Sequence, residues 1–259
     1  MTKSILEFAS FGEELVDASG KIVLSYWRSD LEVIRKSDES PVTQADREAE
    51  QKIRELIEAR YPNHGISGEE HGSVRMDAEY VWSLDPIDGT KAFISGSPLF
   101  GTLIALLKGG EPILGIIDIP ATRERWIGGK NLPARANGKL LETRKGLKLA
   151  DATTGSTSPK MFLGKDAERI NRLHDRVKLP IFGGDCYLYG MLTLGTIDLV
   201  VEASMSDYDY LAPAAMVKAA GGIVTGWKGE ALGLGTTDKV VAAGDPKLHA
   251  EVIEILNDE

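Results

Sequence analysis

The chain has one cysteine, Cys186, in 259 residues. No internal disulfide framework can form, so a reducing, cytoplasmic compartment is the expected home. Histidine is scarce too: His64, His71, His174 and His249 are scattered without the spacing of a histidine metal site and read as surface or supporting residues. Positive charge is in deficit, with 30 Lys and Arg against 39 Asp and Glu and a formal charge of −9. With no basic stripe carrying interleaved aromatics, a nucleic-acid partner is excluded. No apolar run reaches the length of a membrane span, and the residues from Met1 to Glu7 lack the apolar core of a signal peptide, so no membrane partner is expected. Trp27 and Trp227 read as partly buried core aromatics and not as stacking platforms. What remains is 42% hydrophobic and 27% charged, an ordinary globular composition that can bury one large core or two smaller ones.

Periodicity sorts the chain into two halves, 1–148 and 149–259. Ile5, Phe8, Leu15, Ala18, Ile22 and Tyr26 fall near one helical face over residues 3–28, and Ala49, Ile53, Leu56 and Ile57 repeat the pattern over 46–60. Strands are predicted at 80–84, 101–107, 113–119 and 123–128, a meander with helices on one side. Beyond residue 149 strands and helices alternate: strand 152–156, helix 163–174, strand 180–183, helix 186–195, strand 196–202, helix 209–220, strands near 223 and 240, and a closing helix 246–257. That is an α/β unit. No low-complexity linker divides the halves, so they are expected to pack together.

Six residues carry the most chemistry. Asp85-Pro86-Ile87-Asp88-Gly89-Thr90 place two carboxylates three apart on a turn delivered by the short apolar strand from Tyr80 to Leu84. Pro86 restricts its own φ and biases Asp85 to extended geometry, while Gly89 permits backbone angles other residues resist, so both side chains are held. Two held carboxylates suit a hard cation. Thr90-Lys91-Ala92-Phe93 can open a helix whose free N–H groups face an anion. Further acids are Glu69, in Gly68-Glu69-Glu70; Glu202, closing an apolar strand; and Asp209, seven residues later before a helix ending at Gly221-Gly222.

The ordered set of G-E-E, D-P-I-D-G-T, an N-G turn in Ala136-Asn137-Gly138-Lys139 and an Asp thirteen residues before the second Gly of A-G-G resembles the inositol monophosphatase family over residues 43–222. The resemblance implies a layered αβαβα sandwich of the inositol monophosphatase and fructose bisphosphatase type, usually a homodimer. It also implies a Mg²⁺-dependent phosphate monoester hydrolase acting on a small phosphorylated metabolite by direct attack of a cation-activated water. Glu69, Asp85 and the carbonyl of Ile87 would hold one Mg²⁺. Asp85, Asp88 and Asp209 would hold a second, and Glu69 a third through waters, with Mn²⁺ a substitute. Such oxygen donors suit Mg²⁺, and two adjacent cations can bracket an in-line displacement. Thr90, oriented by Asp46, would take the proton of the attacking water, with Glu69 beside it, and Gly89 and Thr90 would meet the phosphate. Asp46 can equally be read as the N-cap of a helix starting at Arg47. Glu70 is left as a solvated or supporting residue.

Within the family, Lys91, Phe93-Ile94-Ser95-Gly96, Gly184-Asp185-Cys186-Tyr187 and Asp207-Tyr208-Asp209-Tyr210 look most like the histidinol-phosphate phosphatase branch, which would place the chain in histidine biosynthesis. Inositol monophosphate, a sugar bisphosphate or an adenosine bisphosphate are the alternative substrates, and a non-catalytic metal-binding regulatory protein is the alternative of another class. Glu202 and Asp185 are the candidates for reading a cationic substrate, each against a plainer role: a charge at a strand end for Glu202, a helix N-cap for Asp185. Pro133-Ala134-Arg135-Ala136 departs from the family by lacking glycines, and Pro213 is expected in the first turn after Asp209, where it is tolerated. A cysteine phosphatase would need arginine where Leu192 stands, so Cys186 reads as a buried small residue. An aspartyl-nucleophile reading of Asp207-Tyr208-Asp209 fails at Leu211, where Thr or Val is needed.

Overall fold

A computed structural model describes residues 4–28, 33–35 and 41–258. The first helix, α1 (Ile5–Tyr26), begins on Ser4, whose hydroxyl accepts the Glu7 N–H at 3.3 Å, and it buries Phe8, Phe11, Leu15 and Val16 on one face. Lys3, expected in this helix, lies outside the described residues. A short antiparallel pair, β1 (Val33–Arg35) and β2 (Pro41–Thr43), leads into α2 (Gln44–Arg60). Because α2 starts at Gln44, Asp46 sits inside its first turn and is not the N-cap, which corrects that reading.

An eight-stranded sheet follows, built from β3 (Gly65–Gly68), β4 (Gly72–Val74), β5 (Tyr80–Asp88), β6 (Gly101–Lys108), β7 (Glu111–Ile119), β8 (Glu124–Gly129), β9 (Leu132–Ala136) and β10 (Lys139–Leu140). A six-residue helix, α3 (Thr90–Ser95), joins β5 to β6. The spatial order is β10-β9-β8-β7-β6-β5-β3-β4, antiparallel throughout except where β3 runs parallel to β5. Tight turns set its register. Gly109 and Gly110 both take positive φ between the paired Lys108 and Glu111. Asn137 (φ 45°) and Gly138 (φ 81°) close β9 onto β10 with Ala136 opposite Lys139. Both are the two-residue hairpins that such residues favour, so the missing glycines at 133–136 cost the turn nothing.

The second half holds β11 (Thr153–Ser156), α4 (Lys165–His174), β12 (Leu179–Phe182), α5 (Tyr187–Thr193), β13 (Leu199–Ala203), α6 (Asp207–Ala219), β14 (Ile223–Thr225), β15 (Lys239–Ala243) and α7 (Pro246–Asn257). Its five strands order as β12-β11-β13-β15-β14, with β11 parallel to both neighbours and β15 antiparallel to its own.

The layers stack as α1 and α2, the eight-stranded sheet, α5 and α6, the five-stranded sheet, then α4 and α7, which is the αβαβα sandwich. The core between the sheets joins Leu103, Ile117 and Trp126 of the first to Val200 and Ala242 of the second around Tyr189, Tyr210 and Met216. The meander therefore has helices on both faces, not one; its second cover comes from later in the chain, which local periodicity cannot reveal. At Gly115 on β7 the helix α6 comes so close that a Cβ there would meet the Ala212 carbonyl. Pro213 stands well inside α6 and not in its first turn, because the helix starts two residues earlier than expected. Its ring leaves the Asp209 carbonyl without the usual helical N–H.

Candidate active site

The acids gather where β5 ends. This strand runs through Asp88, so Asp85 and Asp88 lie on an irregular strand end and not on a turn beyond residue 84. Pairing to β6 slips between them, which lets both carboxylates reach one side. The Pro86 carbonyl accepts the Thr102 hydroxyl at 2.8 Å, and Thr102 in turn contacts Ser19 of α1 at 3.2 Å, so this stretch is pinned from behind. Gly89 follows with φ 81°, a left-handed conformation that side chains resist, and α3 starts at Thr90. The Thr90 hydroxyl donates to the Ile87 carbonyl at 3.2 Å.

Two overlapping groups of carboxylates form around Asp85. One holds Asp46, Glu69 and Asp85; the other holds Asp85, Asp88 and Asp209; in each, one oxygen from every residue lies within 4.8 Å of the others. They come from four elements. Asp46 projects from α2, and Glu69 follows β3 with its N–H on the Leu84 carbonyl at 3.3 Å. Asp209 is the third residue of α6, where its carboxylate accepts the Ser206 N–H at 2.7 Å as half of a capping box. Asp88 accepts the Cys186 N–H at 2.6 Å.

Electrostatics in the cluster favours a bound cation. Burial, then Glu69, Asp88, Asp209 and Asp46 in turn, pushes the Asp85 carboxyl well above the usual range. Burial and Asp185 raise Asp88, against the Cys186 N–H, and burial lifts Asp209 to about 7 against the Ser206 N–H. One Asp85 oxygen, Oδ1, is buried with no hydrogen-bond partner among the described residues. Carboxylates crowded this way repel each other unless a cation lies among them. The donors are all oxygens, which fits Mg²⁺, Mn²⁺ or Ca²⁺ better than softer metals.

A cleft of about 410 Å³ opens from the cluster, lined by Glu69, Asp88, Gly89, Thr90, Lys91 and Asp209 and by Thr157, Asp185, Tyr189 and Glu202. Glu202 is 1% exposed and accepts three hydrogen bonds: the Thr157 N–H at 3.1 Å, the Thr157 hydroxyl at 2.5 Å and the Tyr189 hydroxyl at 2.8 Å. It is therefore not a solvated charge at a strand end. Asp185 takes a left-handed φ of 46° two residues before α5, whose capping position is Cys186, so the N-cap reading of Asp185 is set aside. Burial and Glu202 raise the Asp185 carboxyl to about 6, against Lys91. Thr157 and Tyr189 are site residues that the sequence reading missed, since only the tertiary fold brings them to Glu202. Cys186 is buried and burial raises its thiol far above the usual range, so it is no nucleophile. A larger hollow of about 620 Å³ beside α1, lined by Asp17, Asp118 and Arg125, holds none of the clustered acids.

The likeness to known proteins runs the length of the chain. The model of the inositol monophosphatase family matches residues 5–259. The chloroplastic bifunctional phosphatase IMPL2 of Arabidopsis thaliana is 43% identical over 258 residues, 96% of this chain and 75% of that protein. A histidinol-phosphatase of Chlorobaculum parvum is 34% identical over 218 residues, 83% of this chain and 84% of that one. Among solved structures, an inositol monophosphatase from Zymomonas mobilis superposes with a TM-score of 0.91 at 39% identity, covering 99% of this chain and 100% of its own. The chain belongs to the inositol monophosphatase family and is a metal-dependent phosphatase, a phosphoric monoester hydrolase.

Proposed function

We propose that the chain hydrolyses histidinol phosphate to histidinol and phosphate, with Mg²⁺ as its cation. The observation that supports this reading is that Glu202 and Asp185 line the same cleft as Glu69, Asp88 and Asp209, two acids that would meet the ammonium and imidazole of such a substrate. Histidinol-phosphatases of three organisms at 32–34% identity support it. Inositol monophosphate is the second reading, favoured by the Zymomonas mobilis relative.

Glu69, Asp85 and the Ile87 carbonyl would hold one Mg²⁺, and Asp85, Asp88 and Asp209 a second. Bound Mg²⁺ supplies a Lewis acid that neutralises charge on the phosphoryl oxygens and makes water acidic. The Thr90 hydroxyl gives its hydrogen to the Ile87 carbonyl, which leaves its lone pairs to accept a hydrogen bond from the attacking water and aim it. With the Thr90 hydrogen on the Ile87 carbonyl and not on Asp46, Asp46 would serve instead by drawing off the released proton, a role that its grouping with Glu69 and Asp85 supports. Gly89, with no side chain, lets the phosphate approach the start of α3. In this cleft Glu202 has used three of its roughly four acceptor positions, so one remains for a substrate N–H. A single buried cysteine suits a reducing cytoplasm, and a homodimer is the expected assembly, checked by sedimentation.

A panel of histidinol phosphate, inositol 1-phosphate, fructose 1,6-bisphosphate and adenosine 3′,5′-bisphosphate, assayed with Mg²⁺, decides the substrate. Histidinol phosphate should give the highest kcat/KM; a higher value for inositol 1-phosphate overturns the assignment. Exhaustive chelation should abolish turnover, Mn²⁺ should restore it in place of Mg²⁺, and Ca²⁺, with its looser and larger coordination, should inhibit. Full activity after chelation refutes the cation reading.

A further inference from the structure

One face of α2 carries Asp46, Glu50 and Arg54 at helical spacing of four, and only Asp46 belongs to the carboxylate cluster. Glu50 is fully buried, yet no oxygen of it joins the cluster; both point at the segment that carries Glu69. One oxygen accepts the Glu70 N–H at 2.7 Å, and the other accepts the His71 N–H at 3.1 Å and the Arg54 Nε at 2.7 Å. Arg54 continues across the turn to the Gly72 carbonyl. The His71 ring lies 3.0 Å from the Arg47 carbonyl, a fourth tie to the same helix. Gly68 has no side chain where one would strike the Glu50 carboxylate, so turn and helix meet at the closest approach that glycine allows.

We infer that Glu50, braced by Arg54, is a positioning residue that fixes Glu69 against Asp46 and Asp85 and thereby sets cation affinity. A buried acid oriented by an arginine grips two consecutive backbone N–H groups immediately after Glu69. That grip restrains the short turn between β3 and β4 from the side of α2. Since Asp46 rides on the same helix one turn earlier, α2 presents one acid and orients another as a rigid unit. The inference rests on Glu69 being a cation ligand.

The test is calorimetric titration of the purified protein with Mn²⁺, with Mg²⁺-activation curves in parallel, on Glu50→Gln, Gly68→Ala and Glu69→Gln. Glutamine keeps one oxygen but turns an amide towards the donors that the second oxygen served. Glu50→Gln should weaken the tighter Mn²⁺ site roughly ten- to a hundredfold and move the Mg²⁺ midpoint by the same factor, with kcat at saturating Mg²⁺ within about threefold of wild type. Gly68→Ala keeps every donor and acceptor and should shift affinity in the same direction, so it carries the test if Glu50→Gln does not fold. Asp198→Asn, which weakens the pair between buried Asp198, just before β13, and half-exposed Arg144, is the control; it should lower thermal stability and leave the isotherm unchanged. A wild-type isotherm for folded Glu50→Gln or Gly68→Ala beside a weakened Glu69→Gln overturns the positioning role alone. A wild-type isotherm for Glu69→Gln overturns the ligand reading and this inference with it.

Discussion

Asp209 serves two neighbours with one carboxylate: it caps α6 through Ser206, and it completes the group with Asp85 and Asp88. An asparagine can keep the first duty, because its oxygen still accepts the Ser206 N–H, but it gives up the charge. Asp209→Asn should therefore lower kcat/KM at least about a hundredfold while leaving the circular dichroism spectrum as it was. The cation-free variant should melt higher than the cation-free wild type, since one of the crowded charges is gone. Near wild-type turnover at saturating Mg²⁺ would remove Asp209 from the ligand set. Glu202 is a separate case because its partners are protein groups. Glu202→Gln should raise KM for histidinol phosphate well beyond its effect on glycerol phosphate, since only the cationic ester loses a charge-assisted hydrogen bond of about 1.5–3 kcal/mol. Equal losses on both esters would assign Glu202 to support of the cleft through Thr157 and Tyr189.

Among the elements, those with a local signal were legible in the sequence and those defined by partners were not. The closing helix stands at the residues its periodicity marks, 246–257. The strands 101–107 and 113–119 extend by one or two residues at their ends, as pairing across Gly109 and Gly110 dictates. The three-residue strands β1, β2 and β4 had no pattern long enough to read, and β9 and β10 exist because of the Asn137-Gly138 hairpin. Of the site, Asp85 and Asp88 stood out beside Pro86 and Gly89, but their place on the slipped end of β5 and not on a turn did not. The contacts of Glu50 and Tyr189 could not be read, since only the tertiary fold brings the Glu70 and His71 backbone to the one and the Glu202 side chain to the other. The hairpin offers a clean check at this scale. Gly138→Ala meets no atom within 4 Å but must hold φ near 81°, a strain of roughly 1–2 kcal/mol. It should lower Tm by a few degrees and leave kcat/KM and cation affinity untouched; a change in kcat/KM would tie the hairpin to the cleft.

On the scale of the whole molecule, the cluster makes stability depend on pH and on cation together. Asp209 titrates near 7 when folded and near 3.9 when unfolded. Between those values the cation-free folded state binds more protons than the unfolded state, so this group's contribution to stability falls as pH rises through the window. Asp85 and Asp88, raised in the same direction, add to the fall. A divalent cation displaces those protons and opposes the trend, so the gain in Tm on adding Mg²⁺ should grow from pH 5 to pH 8. Differential scanning calorimetry with and without chelator measures it, and a gain independent of pH would mean that the cation binds elsewhere.

The close seat of α6 on Gly115 has a consequence for anyone interpreting variants of this chain. A methyl group at position 115 would push on the Ala212 carbonyl, three residues along the helix from Asp209. The lesion sits on β7, far along the chain from every acid in the cluster, and would be filed as a packing fault. It should instead behave as a metal-requirement allele: a strain carrying Gly115→Ala would be rescued by magnesium-rich medium, and its purified enzyme by excess Mg²⁺.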